Sequence, residues 1–277
     1  MNEILSKQRV HSEAVLLEVS SPRIAKSYLP GQFIMLRIHE MGERIPLTVA
    51  DVDVGAGSIS LIFQEVGKST KELASLRVGD ELLDLLGPLG KPSEIRDYGT
   101  VVCVGGGIGV APIYPIARAL ADKGNCVVSI LGARCDELLF WRERMDELSD
   151  SFYVTTDDGS CGRAGFVTDQ LRDLIDGGLK VDRVIAIGPL VMMSAVSGLT
   201  KEYGIETVVS LNPIMVDGTG MCGSCRVTVN GETRFACVDG PEFNAHEVDF
   251  DELFHRHGFY LRQEELSLKR YLEACGK

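Results

Sequence analysis

The stretch TVVCVGGGIGVAPIYPIARALADKGNCVVSILGA (residues 100–133) is the most informative about the fold. An apolar run leads into four glycines within five residues, and a helical pattern and a second apolar run follow. This order predicts a strand, a glycine loop, a helix and a parallel strand. Later apolar runs at residues 150–156 and 182–188 also alternate with helical patterns. The sequence therefore predicts a parallel sheet with helices on both faces.

The segments on either side of this region have different patterns. The first hundred residues contain short apolar runs separated by turn signals, which predicts an antiparallel barrel or sandwich. After about residue 212 the periodicity stops, and a cysteine cluster and an amphipathic tail follow. The fold class is thus multi-domain α/β and β.

Charge and apolar content exclude several classes of partner. The chain has 40 Asp and Glu against 28 Lys and Arg, a net charge of -12, which repels nucleic acid and anionic membranes. Its N-terminus has no apolar signal core, and the most apolar later stretch, residues 184–196, is short and broken by Gly188-Pro189. We therefore expect a cytoplasmic protein with neither nucleic acid nor membrane as a partner.

The glycine loop suits a dinucleotide. Gly106, Gly107 and Gly109 follow a strand and open a helix, where free backbone N–H groups and the helix dipole favour a pyrophosphate. The alternative is a tight turn without a ligand. Gly188 and Pro189 follow a later strand and would close the same rim near a nicotinamide.

An acidic pair follows the next-but-one strand. Asp157 and Asp158 would lie on the same rim as the glycine loop and could accept hydrogen bonds from a ribose. A carboxylate there repels a 2′-phosphate, which favours NAD over NADP. The alternative for either aspartate is a solvated acidic turn.

Two segments of the N-terminal region suit an anionic ligand. ERIPLTV (43–49) joins Arg44 to Pro46 and Thr48, and EVGKSTKELASL (65–76) places glycine, lysine and hydroxyls at the start of a helix. Each segment alone is also compatible with an ordinary strand end or helix cap.

The order of these motifs resembles the ferredoxin–NADP reductase superfamily over nearly the whole chain. Within it, the sequence is similar to the small flavoprotein subunits of NADH-dependent ferredoxin:NADP oxidoreductases, with the electron-transfer subunits of dihydroorotate dehydrogenase as close relatives. The matching segments are RIPLT (44–48), VGKST (66–70), LLGPLG (85–90), GGGIGVAP (105–112), TTDDGS (155–160), IGP (187–189) and CVDGPEF (237–243). The resemblance implies an FAD-binding barrel at residues 1–98, an NAD-binding domain at 99–212 and a 2Fe-2S region with a helical tail at 213–277.

The resemblance also implies roles for residues of the barrel. Arg44 would bind the FAD pyrophosphate, although it stands one residue further from Thr48 than in the family pattern. Thr48 would lie near flavin N5, and Leu47 stands where the family has a stacking tyrosine. A second pyrophosphate segment would be formed by Gly67, Lys68, Ser69 and Thr70.

The cysteine cluster matches the iron–sulfur segment of the dihydroorotate-type relatives, which reads Cx4Cx2C with a distant fourth cysteine. Here the segment reads Dx4Cx2Cx11C, so Asp217 takes the first ligand position beside Cys222, Cys225 and Cys237. Glycines 218, 220 and 223 would let the turn direct its N–H groups toward sulfide. The alternatives are a zinc site with the same ligands, or three cysteine ligands with Asp217 only in an Asx turn.

The function implied is transfer of hydride from NADH to FAD and of single electrons to the 2Fe-2S cluster. This chemistry requires orientation and no acid–base pair from the protein. The resemblance further implies a larger partner subunit with a flavin and 4Fe-4S clusters, and electron bifurcation that reaches ferredoxin through the complex. The alternatives are the dihydroorotate dehydrogenase electron-transfer subunit and a zinc-stabilised nucleotide-binding protein without turnover.

Overall fold

The computed structural model describes residues 2–276, so residues 1 and 277, the outer ends of the first and third predicted domains, lie outside it. The predicted fold class is confirmed, because an antiparallel sheet, a parallel sheet and a small C-terminal region follow one another along the chain. Within residues 2–276, no helix combines the length and apolar character needed to cross a bilayer.

The N-terminal region forms a six-stranded antiparallel barrel with two short helices. Its elements are β1 (Ile4–His11), β2 (Ala14–Ser20), α1 (Pro22–Ser27), β3 (Phe33–Arg37), β4 (Arg44–Asp53), β5 (Ser58–Gln64), α2 (Lys68–Ser75) and β6 (Asp84–Leu89). The strand order is β1-β2-β5-β4-β3-β6. A bridge between Glu3 and Glu81 brings the first strand beside the segment that leads into the last one. Leu17, Ile34 and Leu61 are fully buried inside the barrel.

The central region forms the parallel sheet. Its elements are β7 (Thr100–Gly106), α3 (Val110–Asp122), β8 (Cys126–Ala133), α4 (Arg142–Leu148), β9 (Ser151–Thr156), β10 (Arg163–Ala164), α5 (Val167–Asp176), β11 (Arg183–Ile187), α6 (Leu190–Glu202) and β12 (Thr207–Ser210). The strand order is β10-β9-β8-β7-β11-β12, so the chain reverses direction across the sheet between β7 and β11. In open α/β sheets ligands bind at this switch point, beyond the carboxyl ends of the strands.

Both faces of the parallel sheet are covered. Val102 and Val104 of β7 pack in the hydrophobic cluster with residues of α5 and α6, whereas Val101 and Cys103 pack in the cluster with α3 and α4. The alternation follows from the two-residue repeat of a strand. The helical sequence pattern ELLFWRERMDEL (137–148) forms an α-helix only from Arg142, since Trp141 has a left-handed backbone (φ 54°).

The C-terminal region consists of β13 (Arg226–Val229), β14 (Glu232–Phe235), β15 (Glu242–Asn244), α7 (Phe250–His257) and α8 (Leu261–Ala274). Strands β13 and β14 form a hairpin, and β15 adds an antiparallel edge strand to β12 of the parallel sheet. The cysteine loop packs on β3 of the barrel, since Gly218 lies so close to Met35 that an added Cβ would come within 2.5 Å of its side chain. The C-terminal region therefore contacts both preceding regions.

Candidate functional site

A cleft of about 1070 Å³ lies between the barrel and the carboxyl ends of the parallel strands. Its barrel side is formed by β3, β4, β5, the turn between β1 and β2 and the segment after β5, and its sheet side includes the loops after β7, β8, β9 and β11. The volume is slightly above the roughly 300–1,000 Å³ that is usual for small-molecule pockets. Its position is the switch point of the sheet, where a nucleotide is expected.

The glycine loop and the segment after β11 are in direct contact. A Cβ added at Gly109 would come within 2.1 Å of the carbonyl oxygen of Ile187, and one at Gly106 within 2.3 Å of the Met192 sulfur. Gly107 has a positive φ of 53°, and nothing lies within 4 Å of its Cβ position. The loop thus packs against β11 on one side and leaves backbone accessible on the other. This arrangement fits a pyrophosphate.

Two thirds of the predicted cofactor residues line the cleft. These are Pro46, Leu47, Thr48, Thr70, Gly106, Gly107, Gly109, Asp157, Gly188 and Pro189. Ile187, the last residue of β11, also lines it. Arg44, Gly67, Lys68, Ser69 and Asp158 do not.

Strand alternation explains the position of Arg44. Ile45 and Leu47 pack against the barrel core, so Arg44, Pro46 and Thr48 share the opposite face of β4. The Arg44 side chain is 49% exposed, and its guanidinium lies 3.8 Å from the Asp84 carboxylate. It also helps to lower the pKa of Asp217, which places it near the cysteine loop.

Helix α2 begins beside the cleft. Gly67 is its N-cap, and the Gly67 N–H donates to the Thr70 hydroxyl at 3.0 Å. The Ser69 hydroxyl donates to Glu43 at 2.8 Å. Val66 and Thr70 line the cleft, so the first turn of α2 faces it from the barrel side.

The acidic pair after β9 separates into two different environments. The Asp158 carboxylate accepts from the Ser160 N–H at 2.9 Å and from its hydroxyl at 2.6 Å, and these bonds lower the pKa of Asp158. Asp157 instead lines the cleft. Of the two aspartates, Asp157 is therefore the one positioned to meet a ligand.

Two of the predicted cluster ligands are buried together. Cys225 and Cys237 are each 2% exposed, and their sulfur atoms are 3.2 Å apart. Burial raises the pKa of the Cys237 thiol to about 12. They belong to a hydrophobic cluster that also contains Phe33, Met35 and Met215.

The other two predicted ligands lie on the exposed loop. The Asp217 carboxylate accepts from the Thr219 N–H at 3.0 Å and from its hydroxyl at 2.5 Å, which are the bonds of an Asx turn and lower the pKa of Asp217. Bonds from the Ser224 hydroxyl and N–H lower the pKa of Cys222, and the Asp217 N–H contributes as well. Within residues 2–276, no group of three or more His, Cys, Asp or Glu side chains is arranged closely enough to hold a metal ion.

The backbone of this loop fits an iron–sulfur ligand segment. Glycines 218, 220 and 223 all have positive φ angles, of 83°, 85° and 69°, which L-residues rarely adopt. The Gly220 N–H interacts with the Cys237 sulfur, as the Asp217 N–H does with Cys222. The loop thus directs N–H groups toward thiols, as expected for a segment that stabilises a negatively charged cluster.

Phe33 and Met215 are functional candidates that sequence reasoning missed. Both line the cleft, and both belong to the hydrophobic cluster that contains Cys225 and Cys237. We call these two residues the apolar wall. Their sequence surroundings, an apolar strand and an irregular segment, carry no signal that separates them from ordinary core residues.

Comparisons with known proteins define the class. Residues 103–198 match the oxidoreductase NAD-binding domain family, and residues 212–249 match the iron-sulfur cluster binding domain of dihydroorotate dehydrogenase B. A cytochrome P450 reductase from Amycolatopsis shares the fold, with a TM-score of 0.63 at 23% identity over 73% of this chain and 65% of that one. The protein is an oxidoreductase subunit of the ferredoxin–NADP reductase type with a C-terminal iron–sulfur region.

Closer relatives define the family. The dihydroorotate dehydrogenase B (NAD(+)) electron transfer subunit homolog of Thermotoga maritima is 48% identical over 100% of this chain and 98% of the relative. The electron transfer subunit from Bacillus mycoides is 37% identical over 79% of this chain and 86% of the relative. The chain belongs to the family of these electron transfer subunits.

A solved structure agrees with this result. A chain from a study of flavin-based electron bifurcation, on the NADH-dependent reduced ferredoxin-NADP oxidoreductase, has a TM-score of 0.93 and 48% identity over 98% of both chains. The cofactors predicted from the sequence, FAD, a 2Fe-2S cluster and NAD(H), are confirmed as those of this class. The zinc alternative is not supported, since the cysteine region matches an iron–sulfur domain. As an electron transfer subunit, the protein serves a larger complex.

Proposed function

We propose that this chain takes electrons from NADH in the cleft and delivers them singly to the cysteine loop and from there to a partner subunit. The observation that carries the proposal is the apolar wall. Phe33 and Met215 line the cleft and pack in one cluster with Cys225 and Cys237, so the same apolar residues border both sites. Bound FAD supplies the chemistry that converts a hydride into single electrons.

The barrel residues bind and orient FAD in this proposal. Thr48 and Pro46 on the outer face of β4 contact the ring system, and Leu47 fills the strand position between them. Gly67, Lys68, Ser69 and Thr70 at the start of α2 hold the pyrophosphate, supported by the free N–H groups of a helix N-terminus. Arg44 adds a charge-assisted contact from the same face of β4 as Thr48.

The sheet residues bind and orient NADH. Gly106, Gly107 and Gly109 approach its pyrophosphate, Gly188 and Pro189 border its nicotinamide, and Asp157 accepts from the adenosine ribose, with Asp158 holding the turn. Hydride transfer requires close alignment and exclusion of water, both of which the interface between barrel and sheet can provide. A carboxylate beside the ribose favours NADH over NADPH.

The cluster ligands in this proposal are Asp217, Cys222, Cys225 and Cys237. Cys225 and Cys237 are buried in the same cluster as the apolar wall, and Asp217 and Cys222 would bind the cluster from the exposed loop. Both bonds from Thr219 go to the same oxygen of Asp217, Oδ2, and in this proposal the other oxygen, Oδ1, binds iron. Carboxylate oxygen can bind ferric iron. In this proposal the FAD, NADH and cluster sites belong to three domains, residues 1–98, 99–212 and 213–277.

The partner in this proposal is a larger subunit with its own flavin and 4Fe-4S clusters, and the pair couples NADH, NADPH and ferredoxin by electron bifurcation in the cytoplasm. The support is the 48% identity over 98% of the chain from the electron-bifurcation study. Asp217 in place of the first cysteine distinguishes this chain from the dihydroorotate-type pattern, and the net charge of -12 argues against nucleic acid or an anionic membrane as the partner.

A second candidate is the electron transfer subunit of a dihydroorotate dehydrogenase. It is favoured by the names of the Thermotoga maritima and Bacillus mycoides relatives. Copurification from the native host separates the two candidates. A partner that reduces ferredoxin with NADPH in the presence of NAD⁺ supports the first, whereas a partner that oxidises dihydroorotate supports the second and contradicts the first.

A further inference from the structure

An arginine and an aspartate lie side by side on the rim of the cleft. Strand β8 ends at Ala133, and Arg134 follows it directly. The Asp157 N–H donates to the Ala133 carbonyl at 3.1 Å, and the Asp158 N–H donates to the Arg134 carbonyl at 3.2 Å. Arg134 and Asp157 both line the cleft. The proposed adenosine end therefore has a cation as well as a carboxylate.

These two side chains favour opposite nucleotides. An acidic residue at this rim suits the two free hydroxyls of the NADH ribose, whereas an arginine accommodates the 2′-phosphate of NADPH. A guanidinium binds phosphate through two parallel hydrogen bonds, so a free Arg134 would oppose the effect of Asp157. The sequence signal from Asp157 alone is thus insufficient to set the preference.

The guanidinium of Arg134 forms an ion pair with the Glu13 carboxylate of the barrel. Nη2 of Arg134 donates to both oxygens of the Glu13 carboxylate, at 2.9 Å each. Glu13 lies in the turn between β1 and β2, where its N–H donates to His11 Nδ1 at 3.2 Å and its carbonyl accepts from the Glu65 N–H at 3.0 Å. Glu13 also lines the cleft. The barrel therefore presents a fixed carboxylate to a cation of the sheet domain.

The exposure of this ion pair argues against a role in stability. The side chains of Arg134 and Glu13 are 67% and 45% exposed, and exposed pairs contribute little to folding. Two other arginines of the sheet domain are also paired, Arg142 at the start of α4 with Asp136 and Arg163 in β10 with Asp173. The rim thus keeps its cations next to carboxylates.

We propose that Glu13 is a specificity-determining residue that excludes NADPH by pairing with Arg134. The inference rests on the proposed NADH site at the cleft. A 2′-phosphate entering the rim would have to displace Glu13 from Arg134 and would meet the negative charge of both Glu13 and Asp157. Glu13→Gln removes this charge with little change of shape and frees the guanidinium for phosphate.

The test is rapid-mixing reduction of the flavin in the intact holoprotein by NADH and by NADPH. Because a charge-assisted bond to phosphate becomes available, Glu13→Gln should raise the efficiency with NADPH about tenfold and change that with NADH less than about twofold. The double variant Glu13→Gln with Arg134→Gln should lose this gain, since the guanidinium that would bind the 2′-phosphate is absent. Glu65→Gln, which removes another paired barrel carboxylate, is the matched control.

The outcomes separate this inference from the proposed function. If NADH reduces the unmodified protein and Glu13→Gln leaves the NADPH efficiency unchanged, or if the gain persists in the double variant, the role of Glu13 is contradicted while the NADH site stands. If NADH fails to reduce the flavin of the unmodified protein, the proposed function itself fails.

Discussion

Phe33 on β3 is the register partner of Thr48 on β4, and both residues line the cleft. Directly opposed residues of antiparallel strands project to the same face of a sheet. Thr48 is the proposed flavin contact, and Phe33 packs in the cluster with Cys225 and Cys237. Two neighbouring strand positions thus connect the flavin site to the cysteine loop.

We expect Phe33→Leu to slow electron transfer from flavin to cluster without slowing flavin reduction by NADH. The smaller side chain loosens the packing between the two sites while it keeps the position apolar. Stopped-flow absorbance at flavin and cluster wavelengths measures the two steps separately. Phe63→Leu is the control, because Phe63 is equally buried and lines the cleft but lies outside the cysteine cluster. Equal cluster reduction rates in both variants would contradict the role of the wall.

Gly109→Ala should weaken NADH binding at least about tenfold, because the new Cβ would meet the Ile187 carbonyl at 2.1 Å and force the glycine loop away from β11. Titration of the holoprotein with NAD⁺ by calorimetry measures the effect. The control is Gly198→Ala in α6, where nothing lies within 4 Å of the added atom. That variant should bind NAD⁺ normally and gain up to about 1 kcal/mol of stability, since alanine favours a helix interior over glycine. Normal NAD⁺ affinity in Gly109→Ala would show that the loop does not form the site.

Arg44→Ala should release FAD on dilution, because a charge-assisted bond to phosphate is lost, typically about 1.5–3 kcal/mol. Flavin content after gel filtration and the dissociation constant of the apoprotein for FAD measure the change. Arg23→Ala removes an exposed arginine of α1 in the same barrel and should retain flavin. Unchanged FAD affinity in Arg44→Ala would indicate that Arg44 serves the cysteine loop, near which it lies, instead of the flavin.

Three substitutions of Asp217 distinguish a ligand from a turn residue. Asp217→Cys should keep a 2Fe-2S signal and lower its midpoint potential, since thiolate donates more electron density to iron than carboxylate does and so stabilises the oxidised cluster. Asp217→Ala should make the cluster labile. Asp217→Asn preserves the acceptor for the Thr219 N–H but removes the anionic oxygen, so it should also lose iron if Asp217 is a ligand.

Iron content, electron paramagnetic resonance and redox titration provide the readouts for this series. A stable cluster with an unchanged midpoint potential in the asparagine and cysteine variants would show that Asp217 is a turn residue and not an iron ligand.

The sequence predicts the local elements of this protein well and its long-range contacts poorly. The glycine loop, the acidic turn after β9 and the positive-φ glycines of the cysteine loop follow from short patterns, because each reports a backbone requirement of its own segment. Strand β15 escapes prediction because it is three residues long and gains its partner, β12, only through the tertiary fold.

The apolar wall and the Glu13–Arg134 pair could not be predicted for the same reason, since their residues meet only in the tertiary fold. Phe33 and Met215 read as core residues, and only the packing of the cysteine loop on β3 shows that they border two sites. Glu13 and Arg134 are 121 positions apart in the chain, so no local motif joins them. Their roles depend on how the barrel and the sheet face each other across the cleft.

Anaerobic addition of NADH to the protein carrying its flavin and iron, followed by rapid freezing and electron paramagnetic resonance, tests whether electrons pass from NADH through the flavin to the cluster. We expect flavin absorbance to fall first and the signal of a reduced 2Fe-2S centre then to appear in the same chain, without any partner. Loss of flavin absorbance with no cluster signal at any time, with iron and flavin both present in full, would contradict it.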